Sequence, residues 1–283
     1  MKTICCITLL VMFVFLPYAA VIARDYYDPA EIRFPLNEEA GGFLNSYTGI
    51  LEYSSSALNH DDWDSFYIKV TGAPVLFQKG NLWALNIFFS SILMNGPVRE
   101  EEKAANIGNF WMNAVQFEYG SNLQFRIRRT DFVYSYSRSS QHPFRENYSY
   151  AANDQQLLRI RPAYSFETGN FSFHPSLTAG YFDLYGFWKS DLEKPRVKFM
   201  ISPEMDSRWK LSGVINIYIL LKIDALQTWT GNYETDFYAE SGLKKTGSPG
   251  MDFFLQMYRT ENSEMLESAK HDAFYAGFGV RFR

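Results

Sequence analysis

The amino-acid sequence predicts an all-β protein, a twelve-stranded antiparallel transmembrane β-barrel, and three observations favour this fold class. The 283 residues are 47% hydrophobic and 18% aromatic, yet the mean hydropathy is only −0.23, which is low for a protein built from membrane-spanning helices. Apolar and polar residues alternate with a period of two in many segments of about ten residues. The connections between these segments sort into short turns and long polar loops, as in an outer-membrane barrel.

Residues 1–23 have the pattern of a secretory signal peptide, in which Lys2 precedes the apolar core Ile4–Leu16. A membrane anchor is the alternative interpretation, because this apolar stretch is long for a signal. Cys5 and Cys6, the two cysteines of the chain, both lie here. The rest of the sequence therefore has no disulfide, no thiolate zinc site and no cysteine nucleophile.

Residues 24–42 lack alternation, and we expect them to form a periplasmic lead-in to a single barrel domain at 43–283. The formal net charge is −4, and no basic stripe indicates a nucleic-acid partner. The histidines outside the candidate cluster described below, at 60, 174 and 271, show no metal-ligand spacing. We expect neither a metal nor another cofactor.

The alternation predicts each strand in turn, and the last is the clearest, because every second residue from Phe274 to Phe282 is apolar. Twelve segments share this pattern: 43–54, 65–77, 82–95, 107–119, 122–137, 154–167, 170–186, 195–205, 208–224, 232–244, 250–260 and 271–283.

Tight turns follow the even-numbered predicted strands, for example at Gly120–Ser121 and Asp206–Ser207. Longer polar loops follow the odd-numbered strands, as at 54–64 and 138–153. In outer-membrane barrels the short turns lie in the periplasm, so we expect a bacterial outer-membrane location. The alternative is a soluble lipocalin-like or sandwich protein whose apolar faces point inward.

If the apolar face meets lipid, the opposite face lines the lumen. Arg126 and Arg128 of the fifth predicted strand then join Arg159 and Arg161 of the sixth in one basic patch. Several acids are expected to point inward as well: Glu52, Glu118, Glu167, Glu234, Asp236, Glu240 and Asp252. Either these charges form a network that fills a narrow interior, or the arginines line a water-filled path for small anionic solutes.

A cluster of polar residues near the end of the fifth predicted strand contains the candidate catalytic pair Ser140 and His142. A serine activated by a histidine could attack a lipid ester near the outer leaflet. The alternative is that both residues are incidental parts of an exposed loop.

Three features follow one another along the chain: Ser139-Ser140-Gln141-His142, the Trp-containing segment 227–233 before an acidic-aromatic strand, and the final strand 276–282. Their order resembles that in an uncharacterised family of bacterial outer-membrane barrels, classed as a domain of unknown function. The likeness covers about residues 65–283 and implies no known activity. Two departures are Gln141, which separates the serines from His142, and the terminal Arg283, which bears on recognition by the barrel-assembly machinery.

The architecture is also similar to that of outer-membrane phospholipase A, another twelve-stranded barrel. The His-x-Ser motif of that enzyme is absent here, so no catalytic residue is carried over. The leading hypothesis is a non-enzymatic barrel with a structural or surface role and with outer-membrane lipid as its surroundings. The alternatives are a narrow anion-preferring pore and an outer-leaflet lipid hydrolase. The sequence leaves the oligomeric state open.

Overall fold

The computed structural model describes residues 41–43, 47–58, 65–97, 110–143, 151–184, 197–245, 250–260 and 273–282. The predicted signal peptide and the lead-in up to residue 40 lie outside these residues. The strands are β1 (Gly41–Phe43), β2 (Tyr47–Leu58), β3 (Ser65–Lys79), β4 (Trp83–Pro97), β5 (Phe110–Ile127), β6 (Thr130–Pro143), β7 (Ala151–Pro162), β8 (Phe166–Thr168), β9 (Phe171–Leu184), β10 (Val197–Lys210), β11 (Ile215–Thr228), β12 (Tyr233–Lys245), β13 (Met251–Thr260) and β14 (Ala273–Phe282). Among the described residues, no helix is long and apolar enough to cross a membrane.

The long strands pair antiparallel in a ring. From β2 to β7 each strand pairs with the next, and the ring continues through β9 to β14. β14 then pairs with β2, for example Phe282 with Leu51. A path that steps from each residue to its paired residue on the next strand returns to β2 about 16 residues from the residue where it began. This stagger means that the strands are tilted relative to the barrel axis. Twelve strands thus close into a barrel, as the alternation predicts.

The two short strands lie outside this ring. β1 pairs with the last residues of β3, beyond the point where β2 begins, so Gly41 faces Lys79. β8 folds back on the first residues of β9 and pairs Phe166 with Phe173. Both short strands therefore lie at the end of the barrel that carries the short turns.

Two predicted turns are wrong. Gly120–Ser121 lies inside β5 and Asp206–Ser207 inside β10, and the chain turns instead at 128–129 and 211–214. Gly120 serves a close approach between strands, because a Cβ there would lie 2.2 Å from the carbonyl oxygen of Tyr136. The predicted sorting of connections otherwise holds, with two exceptions: the four-residue link 229–232 on the long-loop side and the eight-residue link 163–170, which contains β8, on the short-turn side.

The barrel has an apolar exterior and a polar interior. On β11, Ile223 is 45% exposed while its neighbours Lys222 and Asp224 are buried. Large apolar side chains such as Val70 on β3 and Leu255 on β13 repeat this exposure in other sectors. A soluble barrel buries its apolar residues, so this inverted polarity excludes the soluble alternative and is typical of a membrane-spanning barrel.

Aromatic side chains mark both ends of the apolar wall. Near the short turns, the rings of Phe171 and Trp209 meet edge to face with centroids 5.6 Å apart. Toward the other end, the ring centroid of Tyr181 lies 5.3 Å from that of Phe199 and 6.3 Å from that of Trp229. Outer-membrane barrels carry such aromatic girdles at both membrane interfaces.

Gly242 of β12 provides a test of the strand packing. A Cβ there would lie 2.0 Å from the carbonyl oxygen of Phe253, whereas a Cβ at Gly213 in the 211–214 turn meets nothing within 4 Å. We expect Gly242→Ala to lower the free energy of unfolding by about 1–3 kcal/mol, because the neighbouring backbone must move. Urea unfolding of the protein in lipid vesicles measures this effect, with Gly213→Ala as the control. Equal midpoints for the two variants would contradict the packing described.

Candidate functional site

Charged side chains fill the interior, and acids outnumber bases among the buried ones that the structure describes. The buried acids are Glu118, Asp131, Glu204, Asp224, Glu234, Asp236, Glu240 and Asp252, and the buried bases are Arg159 and Lys222. The interior wall is therefore not a basic surface.

One cluster lies where β5, β6 and β7 approach the short-turn end. Arg126 donates two hydrogen bonds to the carboxylate of Asp131, with Nε 2.6 Å from Oδ1 and Nη2 3.1 Å from Oδ2. Arg161 donates to Oδ2 of the same carboxylate at 3.3 Å. The ring of Tyr164 lies 5.7 Å from the Arg126 guanidinium carbon. Asp131 thus holds two of the arginines that the sequence assigns to the lumen.

Arg159 lies in a separate cluster with β9 and β10. Its guanidinium forms an ion pair with Glu204, and its Nε donates to the Ser176 hydroxyl at 3.1 Å. Arg159 is fully buried, and burial of a charge is tolerated when the charge is paired and hydrogen-bonded. The Arg159 side chain is therefore held on the inner face of the barrel.

Glu240 on β12 accepts hydrogen bonds from three side chains on three strands. Arg281 of β14 donates to both of its oxygens, at 3.0 and 2.9 Å. Tyr218 donates to Oε1 at 2.6 Å, and Tyr238 donates to Oε2. Arg281 also lies 4.5 Å from the ring centre of Phe254. These contacts join the last strand of the chain to β11 and β12 across the interior.

A further polar cluster joins the inner faces of β5, β6 and β7. Ser137 donates a hydrogen bond to Glu118 at 2.7 Å, and Gln155 donates to the same oxygen. Gln116 donates to the hydroxyl of Ser139 at 2.9 Å. Ser139 therefore belongs to the interior.

Apolar side chains complete the filling. One buried cluster, which we call the inner apolar cluster, is contributed by β7, β9, β10 and β11 and consists of Leu157, Phe182, Val197, Met200 and Leu226. On β7, Leu157 lies between the inward residues Gln155 and Arg159, so the cluster is inside the barrel and not on its lipid-facing wall. These side chains fill space on the inner face of four neighbouring strands.

The structure corrects the predicted basic patch. Arg128 is exposed in the two-residue turn with a φ of 55° and does not line the lumen. The other three arginines are each paired with a carboxylate: Arg126 and Arg161 with Asp131, and Arg159 with Glu204. Glu167, expected inside, is exposed in β8. The side chain of Glu52 lies outside the described part.

Ser140 lies within β6 and not in a loop. It alternates with the inward residues Ser137 and Ser139, so it faces the outer wall near the end away from the short turns. His142 follows two residues later in the same strand, where its backbone pairs with Val115. The side chain of His142 is outside the described part.

Between Ser140 and the short-turn end, the outer wall carries a feature that the sequence does not predict, which we call the outer polar patch. It consists of outward-facing residues of β5, β6 and β7: Tyr119, Tyr134, Tyr136, Arg138, Asp154 and Gln156. Arg138 donates to both oxygens of Asp154, at 2.8 and 3.1 Å.

Tyrosine hydroxyls complete the hydrogen bonds of the patch. Tyr136 donates to Asp154 at 3.1 Å, and Tyr134 donates to the Gln156 side chain at 3.0 Å. The three tyrosine side chains remain 39–50% exposed. The patch is therefore polar, ordered by its own contacts and open on its outer side.

The patch reaches into the apolar band. Counted from the short turns, Tyr134 is the third outward residue of β6 and Gln156 is the fourth of β7, whereas the outward residues of β11 stay apolar up to the fifth, Ile223. An arginine facing lipid costs about 2–4 kcal/mol at the bilayer midplane and about 0–1 kcal/mol near the interfaces. Arg138 and Asp154 are each the fifth outward residue of their strand.

The described residues contain no group of three or more His, Cys, Asp or Glu side chains that could hold a metal ion.

Replacing Glu240 with alanine tests the interior network. Glu240→Ala leaves the Arg281 guanidinium without its main carboxylate, and breaking such a buried pair costs about 3–5 kcal/mol. The exposed Glu167→Ala in β8 is the matched control, for which we expect no change. The measurement is the free energy of unfolding in lipid vesicles, and equal values for the two variants would contradict the role of Glu240.

No family model matches the chain, and no curated protein sequence matches it either. Among solved structures it is similar to outer membrane phospholipase A from Escherichia coli, with 14% identity over 85% of this chain and 93% of that one and a TM-score of 0.49. The KdgM porin has 11% identity, coverages of 83% and 98% and a TM-score of 0.46. The translocator domain of the autotransporter NalP from Neisseria meningitidis has 10% identity, coverages of 87% and 90% and a TM-score of 0.40.

At these identities and TM-scores, no activity, substrate or partner is taken from the three proteins. The chain's own ring of strands, apolar exterior and polar interior identify it as an outer-membrane β-barrel protein.

Proposed function

We propose that this protein is a filled, non-conducting outer-membrane barrel whose role is structural or at the cell surface. One observation supports this above the others: the inner face is buried. The largest fully buried side chains of the described residues include Arg159, Lys222, Leu157 and Met200, all on strands of the barrel. Side chains packed to this degree leave no continuous water path between them.

The charge balance argues against the anion-preferring pore. A pore selects anions when its wall presents net positive charge. Here acids exceed bases among the buried side chains of the described strands, and Arg126, Arg159 and Arg161 are all bound to carboxylates. A barrel that has its arginines neutralised in this way has no electrostatic preference for anionic solutes.

Conductance across a planar lipid bilayer tests the proposal. We expect the folded wild-type protein to be silent, and the triple variant Leu157→Ala/Phe182→Ala/Met200→Ala to leak, because it empties the inner apolar cluster. The matched control is Leu177→Ala/Ile201→Ala/Ile223→Ala, which removes similar volume from the lipid-facing wall and should stay silent. Stable unitary currents from the wild-type protein would overturn the proposal.

A second candidate is outer-leaflet lipid hydrolysis, which one observation favours. Ser140 lies on the outer wall of β6, where a lipid can reach it, and is the next outward residue after Arg138. In this candidate Ser140 is the nucleophile, and His142 is the general base that takes its proton. Attack of the Ser140 oxygen on the ester would expel the lysolipid, which takes the proton from His142 and leaves the acyl group on the serine, and water would then hydrolyse this acyl-enzyme to a free fatty acid and regenerate Ser140.

Fatty-acid release from phospholipid vesicles separates this candidate from the first. Its expected signature is activity in the wild-type protein, a loss of at least a hundredfold in Ser140→Ala, and retention in Ser139→Ala, because Ser139 faces the interior. Activity that survives in Ser140→Ala eliminates this nucleophile, and the absence of any release by the wild-type protein eliminates the candidate.

A further inference from the structure

The outer polar patch is a polar surface in a place where outer-membrane barrels present apolar side chains. Arg138 and Asp154 lie side by side on neighbouring strands, and the next pair toward the short turns is Tyr136 and Gln156. Both rows face outward, and the three tyrosines of the patch keep 39–50% of their surface exposed. Lipid chains offer neither charge nor hydrogen bonds to such a wall.

From this placement we propose that the outer polar patch is the docking surface for a second copy of the same chain. The chemistry of the patch is self-complementary. In a dimer with its two-fold axis along the membrane normal between β6 and β7, Arg138 of each copy faces Asp154 of the partner subunit. The second row behaves in the same way, because Tyr136 then faces Gln156 of the partner subunit.

The two-fold arrangement follows from the order of the residues on the wall. A closed symmetric pair uses the same surface on both copies, so each row must carry two groups that attract each other. The Arg138–Asp154 pair next to the axis carries one positive and one negative charge, and Asp183 of β9, exposed beside Asp154, adds a second carboxylate farther from the axis. The Tyr136–Gln156 row carries a hydroxyl and an amide. Tyrosine and arginine are also enriched in protein interfaces relative to the remaining surface. Dimerisation through the outer wall is compatible with a filled lumen and with a conducting one.

Disulfide cross-linking in intact outer membranes tests the proposal. The only cysteines, Cys5 and Cys6, are first replaced with serine, so that a single new cysteine carries the whole signal. Gln156→Cys lies beside the proposed axis. Leu255→Cys is the matched control, because Leu255 is exposed on β13, far round the ring, and is the third outward residue from the short turns on its strand, one position from that of Gln156, which is the fourth on β7.

Under mild oxidation we expect a homodimer from Gln156→Cys at least ten times more abundant than from Leu255→Cys. Equal cross-linking of the two variants would indicate random collisions and would overturn the proposal. Monomer alone from Gln156→Cys would overturn it as well. So would a cross-linked species whose mass shows a different protein as the partner.

Charge reversal in the Gln156→Cys background separates docking from a purely structural role. Arg138→Asp and Asp154→Arg, expressed singly, each give the row two like charges, and we expect the homodimer to fall at least tenfold. Coexpression restores opposite charges across the axis and should recover the cross-link, which loss of local structure alone cannot do. The double reversal Arg138→Asp/Asp154→Arg keeps both charges and should dimerise like the wild-type protein. Heat-modifiable migration on a gel confirms that each variant is folded, and failure of the double reversal and of the coexpressed pair to dimerise would refute the pairing.

Discussion

Every backbone amide and carbonyl within a bilayer must find its partner in the protein, because lipid offers none. The pairing of β14 with β2 meets this requirement, since it joins the last strand of the chain to the first strand of the ring. All other features depend on this closure. A closed ring gives each strand one face toward lipid and one toward the lumen, and the alternating sequence distributes apolar and polar side chains between the two.

The interior then has to accommodate many charges within a narrow cylinder. It does so by pairing: Asp131 holds Arg126 and Arg161, Glu204 holds Arg159, and Glu240 holds Arg281. The inner apolar cluster occupies space that these pairs leave. The same physical rule makes the outer wall informative, because the Arg138–Asp154 pair faces outward, where lipid does not solvate charge. The interior pairs explain how the barrel is filled, and the exterior pair indicates where it meets a partner.

Much of the fold is predictable from the sequence, because the period of two is a local signal and twelve segments carry it. Turns are predicted at 120–121 and 206–207 because glycine, aspartate and serine favour turns locally, but both positions lie inside strands. The close approach of Gly120 to Tyr136 depends on a neighbouring strand, which the local sequence does not reveal.

The wrongly predicted turn at 120–121 also affects the prediction of the site. A two-residue turn at 128–129 inverts the parity of the inward face, so Arg126 of β5 and Asp131 of β6 both point inward while Tyr134 and Tyr136 point outward. A strand running through residues 122–137 hides the outer polar patch, because it assigns those tyrosines to the lumen. Which carboxylate each arginine pairs with depends on the register between strands. The sequence of a single strand does not determine that register.

The central claim is that the lumen is filled, and the reactivity of a cysteine on the inner face tests it most directly. In a background with Cys5 and Cys6 replaced by serine, Ser202→Cys introduces a nearly isosteric thiol at a fully buried inward position, and Gly213→Cys introduces one in an open turn. The measurement is the rate of labelling by a water-soluble maleimide in membrane-inserted protein. A filled barrel predicts that the thiol at position 202 reacts at least a hundredfold more slowly than the thiol at position 213, and that both react alike after denaturation. Comparable rates in the folded protein would contradict the account.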